Sequence, residues 1–214
     1  MIEAELKARV RNANYVMARL DDKAEGRSEL YRDTYYDDPA GTLGAQDREL
    51  RVRTIHSGGS TRSVLTYKGA RVDARSGSKP EHETRVDSPE AVHAMLRGLG
   101  YVPTIAFQKQ CRNYEFRARG RSLLATLVHV PEIEGTFLEV ETLVSEEDAA
   151  GLPAALEDIR SVMGELGLQE ADFTTELYTD EVAARRAPAR GTGTAPPVSG
   201  TAGPPAGGTA SPPP

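Results

Sequence analysis

Charged and apolar side chains alternate along this chain with a period of two, and that pattern commits most of it to β structure. Glu3, Glu5, Lys7 and Arg9 alternate with Ile2, Ala4, Leu6 and Ala8. In a strand, successive side chains point to opposite faces, so four charges share one face and four apolar groups the other. A helix would scatter both sets around its axis. The pattern returns in Glu49-Leu50-Arg51-Val52-Arg53-Thr54-Ile55 and in Val64-Leu65-Thr66-Tyr67-Lys68-Gly69. It returns again in Glu81 to Arg85 and in Phe137-Leu138-Glu139-Val140-Glu141. An antiparallel sheet with one solvated face accommodates any single segment of this kind. Both signs of charge recurring on successive strands also suit a sheet curled around a wide, wet cavity. Periodicity alone does not distinguish the two.

Helices are few and peripheral on this reading, giving a mainly β, α+β chain. Ser88-Pro89 supplies an N-cap and a proline at the first helical position, followed by Ala91, Val92, Met95, Leu96 and Leu99 before Gly100. A second helix is expected from about 153 to 166, with Leu156, Ile159, Val162, Met163 and Leu166 as its apolar stripe. The methionines of both helices are read as core filling. A third covers Asn12 to about Leu20, with Tyr15, Val16, Arg19 and Leu20 on one side. Residues 21–44 read as loop with a short strand around Tyr35-Tyr36.

From Pro188 to Pro214, 27 residues hold 8 Pro and 6 Gly with Arg190 as the only charge, too little apolar surface to order a core. A folded domain over residues 1–182 and a disordered tail over 183–214 are therefore expected. Cys111 is the sole cysteine, which excludes an internal disulfide and a thiolate metal site. The start of the chain lacks a basic region followed by an apolar run, and no 18-residue apolar stretch occurs, so a soluble, cytoplasmic protein without a membrane association is expected. With 26 Lys plus Arg against 32 Asp plus Glu, the net charge of -6 argues against a nucleic-acid partner. A homodimer through the exterior or the helices stays open.

Phosphate-binding glycine loops and nucleophile elbows are missing, and His56, His82, His93 and His129 stand at no zinc-site spacing. Chemistry must come from carboxylates and cations. Several Lys and Arg groups match the charge of a polyphosphate, with arginine offering bidentate geometry. Oxygen-only ligands suit Mg²⁺ or Mn²⁺, which bridge phosphates. Glu3, Glu5, Glu139 and Glu141 with Lys7, Arg51, Arg53 and Lys68 supply both halves of such a site.

With these residues in place, the sequence resembles the CYTH superfamily of class IV adenylate cyclases and thiamine or inorganic triphosphatases. Its hallmark Glu-x-Glu-x-Lys stands here as Glu3-Ala4-Glu5-Leu6-Lys7. The segments Arg32 to Asp37, Glu49 to Arg53, Leu65 to Gly69, Glu81-His82-Glu83, Gly135 to Glu141 and Glu176 to Asp180 look like the cyclase branch, in order. The resemblance implies an eight-stranded antiparallel β barrel or tunnel binding triphosphate inside with one or two divalent ions. It implies Glu5, Glu139 and Glu141 as metal ligands, with Glu3 and Glu83 on the acidic side. Lys7, Arg51, Arg53, Lys68 and Lys109 would grip phosphates, and Glu5, Lys7 and Arg53 would form the catalytic set.

Two positions depart from the family pattern. Lys109-Gln110-Cys111-Arg112 has cysteine where a second cation is expected, and Arg112 falls on the opposite face unless a bulge restores it. His129 stands where an aspartate is common, and as an imidazole it would be an alternative ligand for Mn²⁺ rather than Mg²⁺. The implied activity is conversion of ATP to 3′,5′-cyclic AMP and pyrophosphate. Hydrolysis of an inorganic, thiamine or nucleoside triphosphate is the alternative, and noncatalytic binding of nucleotide or polyphosphate is the third.

Overall fold

The structure, a computed structural model, describes residues 1–188. Eight strands form it: β1 (Ile2–Val10), β2 (Arg27–Asp37), β3 (Glu49–Ser57), β4 (Ser60–Lys68), β5 (Lys79–Val86), β6 (Val102–Ala118), β7 (Arg121–His129) and β8 (Thr136–Val144). They close into an antiparallel barrel in the order β1-β5-β4-β3-β2-β6-β7-β8. Closure is uneven. β1 pairs with β8 along its whole length, from Ile2 opposite Val144 to Val10 opposite Thr136, but with β5 only through Ile2 opposite Pro80 and Glu3 opposite Lys79. Beyond that point β1 is covered by loop backbone, with Gly77 N donating to Glu5 O (3.3 Å) and Thr174 N to Lys7 O (2.9 Å).

The period-two pattern has an inverted result: the charged faces turn into the barrel and the apolar faces turn out. Ile2, Ala4, Leu6 and Ala8 pack outside with Leu123, Ala125 and Leu127 of β7 and Leu138 and Val140 of β8. Two helices cover them, α1 (Ala13–Asp21) and, as numbered here after the intervening helices, α4 (Leu152–Glu165). Between these lie the short α2 (Thr42–Ala45) and α3 (Pro89–Gly98). In α4 the expected stripe holds, with Ile159, Val162 and Met163 fully buried. In α1 it is Val16 and Leu20 that are buried, while Tyr15 is 52% exposed, so the apolar side is narrower than the sequence suggests. α3 starts as expected, with Ser88 capping Ala91 N at 3.2 Å. Only its Leu96 is buried, and Met95 is 64% exposed, because α3 crosses a small outer patch around Tyr36 and Val52. Met95 is therefore not core filling.

The region expected to be mostly loop contains the eleven-residue β2. A last helix, α5 (Tyr178–Arg186), extends the folded body past residue 182; Arg186 pairs with Glu132 (2.6 Å) and donates to Ala106 O (2.8 Å). The Pro/Gly-rich stretch from 189 onward lies outside the described residues. Among the described residues, no helix is long and apolar enough to cross a membrane.

Candidate functional site

Strand register assembles the site. On β1 and β8, Glu5 lies opposite Glu141 and Lys7 opposite Glu139. On β2 and β3, Asp33 lies opposite Arg53, and across β3, β4 and β5 run Arg51, Thr66 and Glu83. Of these, Glu5, Lys7, Arg51, Arg53, Glu83, Glu139 and Glu141 line a cavity of about 290 Å³ inside the barrel, with Asp33 and Thr66 bonded to Arg53 and Arg51.

Carboxylates gather on the β1–β8 side. Glu3, Glu5 and Glu141 each bring an oxygen within 4.8 Å of the others. Burial, then Glu139 and Glu3, push the Glu5 carboxyl up to about 8. Burial followed by Glu3 and Glu5 pushes Glu141 well above the carboxylate range. With Glu5 and Glu141 both pushed up by burial and by acidic neighbours, the trio makes a hole for a cation, and a divalent ion reverses the logic by favouring the carboxylate forms. The donor set fits Mg²⁺ or Mn²⁺: oxygen only, acidic, and at a spacing that one ion spans. Glu139 differs. Burial works against its charge, yet Lys109 and Lys7 hold it below the usual range, so it is anchored to the cationic wall rather than to the acidic trio.

Cations occupy the facing wall. Arg53 makes a bidentate pair with Asp33, both bonds 2.7 Å, and Asp33 is 1% exposed. Despite its burial, Asp33 is held well below its ordinary range by Arg53 first, then Arg51 and Lys109. The pair uses two of the five guanidinium N–H groups and leaves three. Arg51, also buried, has one long bond, 3.3 Å to Thr66 Oγ1, and its Nε has no partner. A buried guanidinium left this incomplete is costly unless an anion meets it. Lys68 bonds Glu3 and lies 2.9 Å from Glu81, and these carboxylates with Glu5 raise its pKa well above normal against the pull of burial. Lys109 Nζ stands 4.0 Å from Asp33.

The CYTH domain profile matches residues 1–178. The chain belongs to the CYTH family. Among curated relatives of this CYTH protein, a Methanocaldococcus jannaschii protein with a provisional adenylate cyclase name is 23% identical over 184 residues, 84% of this chain and 98% of that one. Adenylate cyclase CyaB of Aeromonas hydrophila is 27% identical over 149 residues, 69% of each chain. Of solved structures, PH1819 from Pyrococcus horikoshii OT3 is 26% identical with a TM-score of 0.74, covering 86% of this chain and 99% of its own. HpAC1 from Hippeastrum, described as having a dominant triphosphatase activity, shares the fold at 17% identity and a TM-score of 0.58, covering 86% and 95%.

Within this CYTH barrel, Glu3, Glu5, Lys7, Arg51, Arg53, Lys68, Lys109, Glu139 and Glu141 all line the cavity, as does Glu83 near its exposed rim, where Thr66 donates to it at 2.9 Å. Arg112 and His129 do not. The β2–β6 ladder shifts at Tyr35/Tyr36 and runs regularly past Arg112, so strand alternation holds: Lys109 and Cys111 point inward and Arg112 outward. Outside, Arg112 donates to Tyr114 Oη (2.6 Å) and Asp21 (3.0 Å), lying over Gly26, where a Cβ would collide with its Nε at 2.5 Å. His129 is likewise exposed on the outer face, its Nδ1 3.3 Å from Gly135 O; Leu124 and Thr126 are the β7 residues that line the cavity. Cys111 fills its inward position as an inert group, since burial pushes its thiol up to about 12.

Residues in and beside the cavity have roles that the sequence did not announce. Asp33 sat inside a quoted segment without an assigned task. Lys79 is 3% exposed, reaching Glu49 (2.7 Å) and Asp47 O (2.9 Å), but Ser-Gly-Ser before it and proline after it disguise the strand start. The signal that could have found Asp33 is its two-residue spacing from Tyr31 and Tyr35, which share its face.

Proposed function

We propose that this CYTH protein is a divalent-cation-dependent enzyme acting on the triphosphate of ATP, converting it to 3′,5′-cyclic AMP and pyrophosphate. The observation that carries this reading is the single cavity with an acidic trio on one side and, on the other, an arginine whose buried Nε lacks a partner. Glu3, Glu5 and Glu141 would hold Mg²⁺ or Mn²⁺, with Glu139 beside them. A bound divalent ion supplies charge neutralisation on phosphate oxygens and acidifies a hydroxyl near it. Arg51, Arg53, Lys68, Lys7 and Lys109 would grip the triphosphate and stabilise charge growing on the departing pyrophosphate. In the reaction the ribose 3′-oxygen bonds the α-phosphorus, the bond from that phosphorus to the bridging oxygen breaks to release pyrophosphate, and the hydroxyl proton passes to solvent water. The names of the two curated relatives support cyclisation. The activity described for HpAC1 supports a second reading in which water attacks the γ-phosphorus and orthophosphate is released. The same wall serves both; which phosphorus meets the nucleophile decides between them.

The test is chromatographic product analysis with ATP, inorganic triphosphate and thiamine triphosphate, each in Mg²⁺ and in Mn²⁺. Cyclic AMP with pyrophosphate, abolished in Glu5→Ala, is the expected result. Orthophosphate without cyclic nucleotide transfers the assignment to hydrolysis. Tight binding without product makes the protein a noncatalytic triphosphate binder, and absence of binding overturns the reading.

A further inference from the structure

The C-terminal segment contributes one aromatic ring to the cavity wall, and that ring carries two of its lysines. Tyr178, the first residue of α5, is 6% exposed and packs edge-on against Phe137 with centroids 5.1 Å apart. Such a place in an apolar cluster would suit phenylalanine or leucine as well. Three features exceed what packing needs. Lys7 Nζ lies 4.4 Å from the ring centroid and Lys109 Nζ 4.3 Å from it, although the lysines come from strands separated in the barrel by β7 and β8. The buried hydroxyl lies beside the Glu139 carboxylate without completing a well-formed hydrogen bond. Lys7 is also tied to the same segment, through the Glu176 carbonyl.

We infer that Tyr178 is a positioning residue for triphosphate binding: its π face holds the Lys7 and Lys109 ammonium groups at the cavity wall. The inference rests on the function proposed above. A lysine is a flexible stem with a strongly hydrated tip, and it loses rotamer entropy when it meets an anion. A ring beneath two such tips attracts each through its quadrupole while leaving their N–H groups free for phosphate oxygens. The C-terminal segment that lines this side of the cavity thereby becomes part of the binding apparatus, although Tyr178 touches no substrate in this scheme.

Titration calorimetry with inorganic triphosphate and Mg²⁺ on the full chain tests this, with thermal melts alongside. Tyr178→Phe keeps the ring and is expected to bind within about twofold of wild type, whereas Tyr178→Leu is expected to bind about five- to fiftyfold more weakly, as two partly desolvated cation–π contacts imply. A series of fluorinated phenylalanines at position 178 keeps the shape while draining the quadrupole, so affinity should fall stepwise with fluorine count even if the leucine variant fails to fold. A melt that is unchanged across that series while affinity falls separates positioning from packing. Affinity indifferent to fluorination overturns the inference while leaving the proposed function intact. Wild-type protein that binds no triphosphate overturns both.

Discussion

Replacing Glu5 by glutamine should stabilise the metal-free protein at pH 8. Burial and the neighbouring carboxylates carry the Glu5 carboxyl from an ordinary 4.5 up to about 8. Between those values the folded state keeps a proton that the unfolded chain gives up. Wild-type stability therefore falls as pH rises through that window, and the loss is complete above pH 8; below about 4.5 both states are protonated and the effect vanishes. At about 1.4 kcal/mol for each pH unit, the interval from 4.5 to about 8 sets a ceiling of about 5 kcal/mol. Glu5 is only half-buried, so solvent screens part of this, and the proton is shared with Glu141, leaving about 2–3 kcal/mol as the realistic loss. Glutamine has the same shape and nothing to ionise. In EDTA, Glu5→Gln should melt about 5–10 °C above wild type at pH 8 and within about 1 °C at pH 4.5. Saturating Mn²⁺ should reverse the order, because the ion stabilises only a protein that retains the carboxylate. A variant that melts at or below wild type in EDTA at pH 8 would refute the account of the acidic trio as a strained, cation-seeking cluster.

Asp33→Asn leaves Arg53 without its buried counter-charge and should cost about 3–5 kcal/mol in urea unfolding, while Asp33→Leu combined with Arg53→Met should recover most of that stability and lose triphosphate binding. Arg51→Met removes one long hydrogen bond and a positive charge facing Asp33 and Glu81, so it should cost about 1–2 kcal/mol while weakening inorganic triphosphate binding about ten- to a hundredfold by calorimetry. Arg112→Ala should leave binding and turnover within about twofold of wild type and cost no more than about 1 kcal/mol, since Arg112 is itself partly exposed and bonds Asp21 and the Tyr114 hydroxyl outside the cavity; a large loss of binding would mean that β6 is bulged in solution.

The strands most legible in the sequence are those whose two faces differ most. β1 alternates cleanly, and its charged and apolar residues do fall on opposite faces, although the period left open which face turns inward. β2 was read only around Tyr35-Tyr36 because both of its faces are mixed: Tyr31, Asp33 and Tyr35 turn inward, while Leu30, Arg32 and Thr34 turn outward. A mixed lumen face erases the contrast on which a period-two reading depends. The site was legible as a set of residue types and as an ordered resemblance, but not as pairs. Glu5 opposite Glu141 and Arg53 opposite Asp33 arise from register across strands distant in sequence, which alternation within one strand does not encode. The division of labour among the carboxylates is also a product of three dimensions, because only the folded barrel sets Glu139 beside Lys7 and Lys109 and leaves Glu3 with Glu5 and Glu141. Arg112 illustrates the converse. Parity alone put it on the wrong face, and the regular ladder upheld parity over the resemblance.

The two walls of the cavity rest on unequal foundations. The outer side of β1, β7 and β8 is pressed against α1 and α4 by a large apolar cluster, whereas the outer side of β3 and β4 meets α3 through Leu96 and a few half-buried neighbours. Local opening costs least where apolar cover is thinnest. The carboxylate wall is therefore the anvil and the arginine wall the part free to breathe: opening displaces Arg51 and Arg53 at less cost than it alters the spacing of the Glu3, Glu5 and Glu141 oxygens.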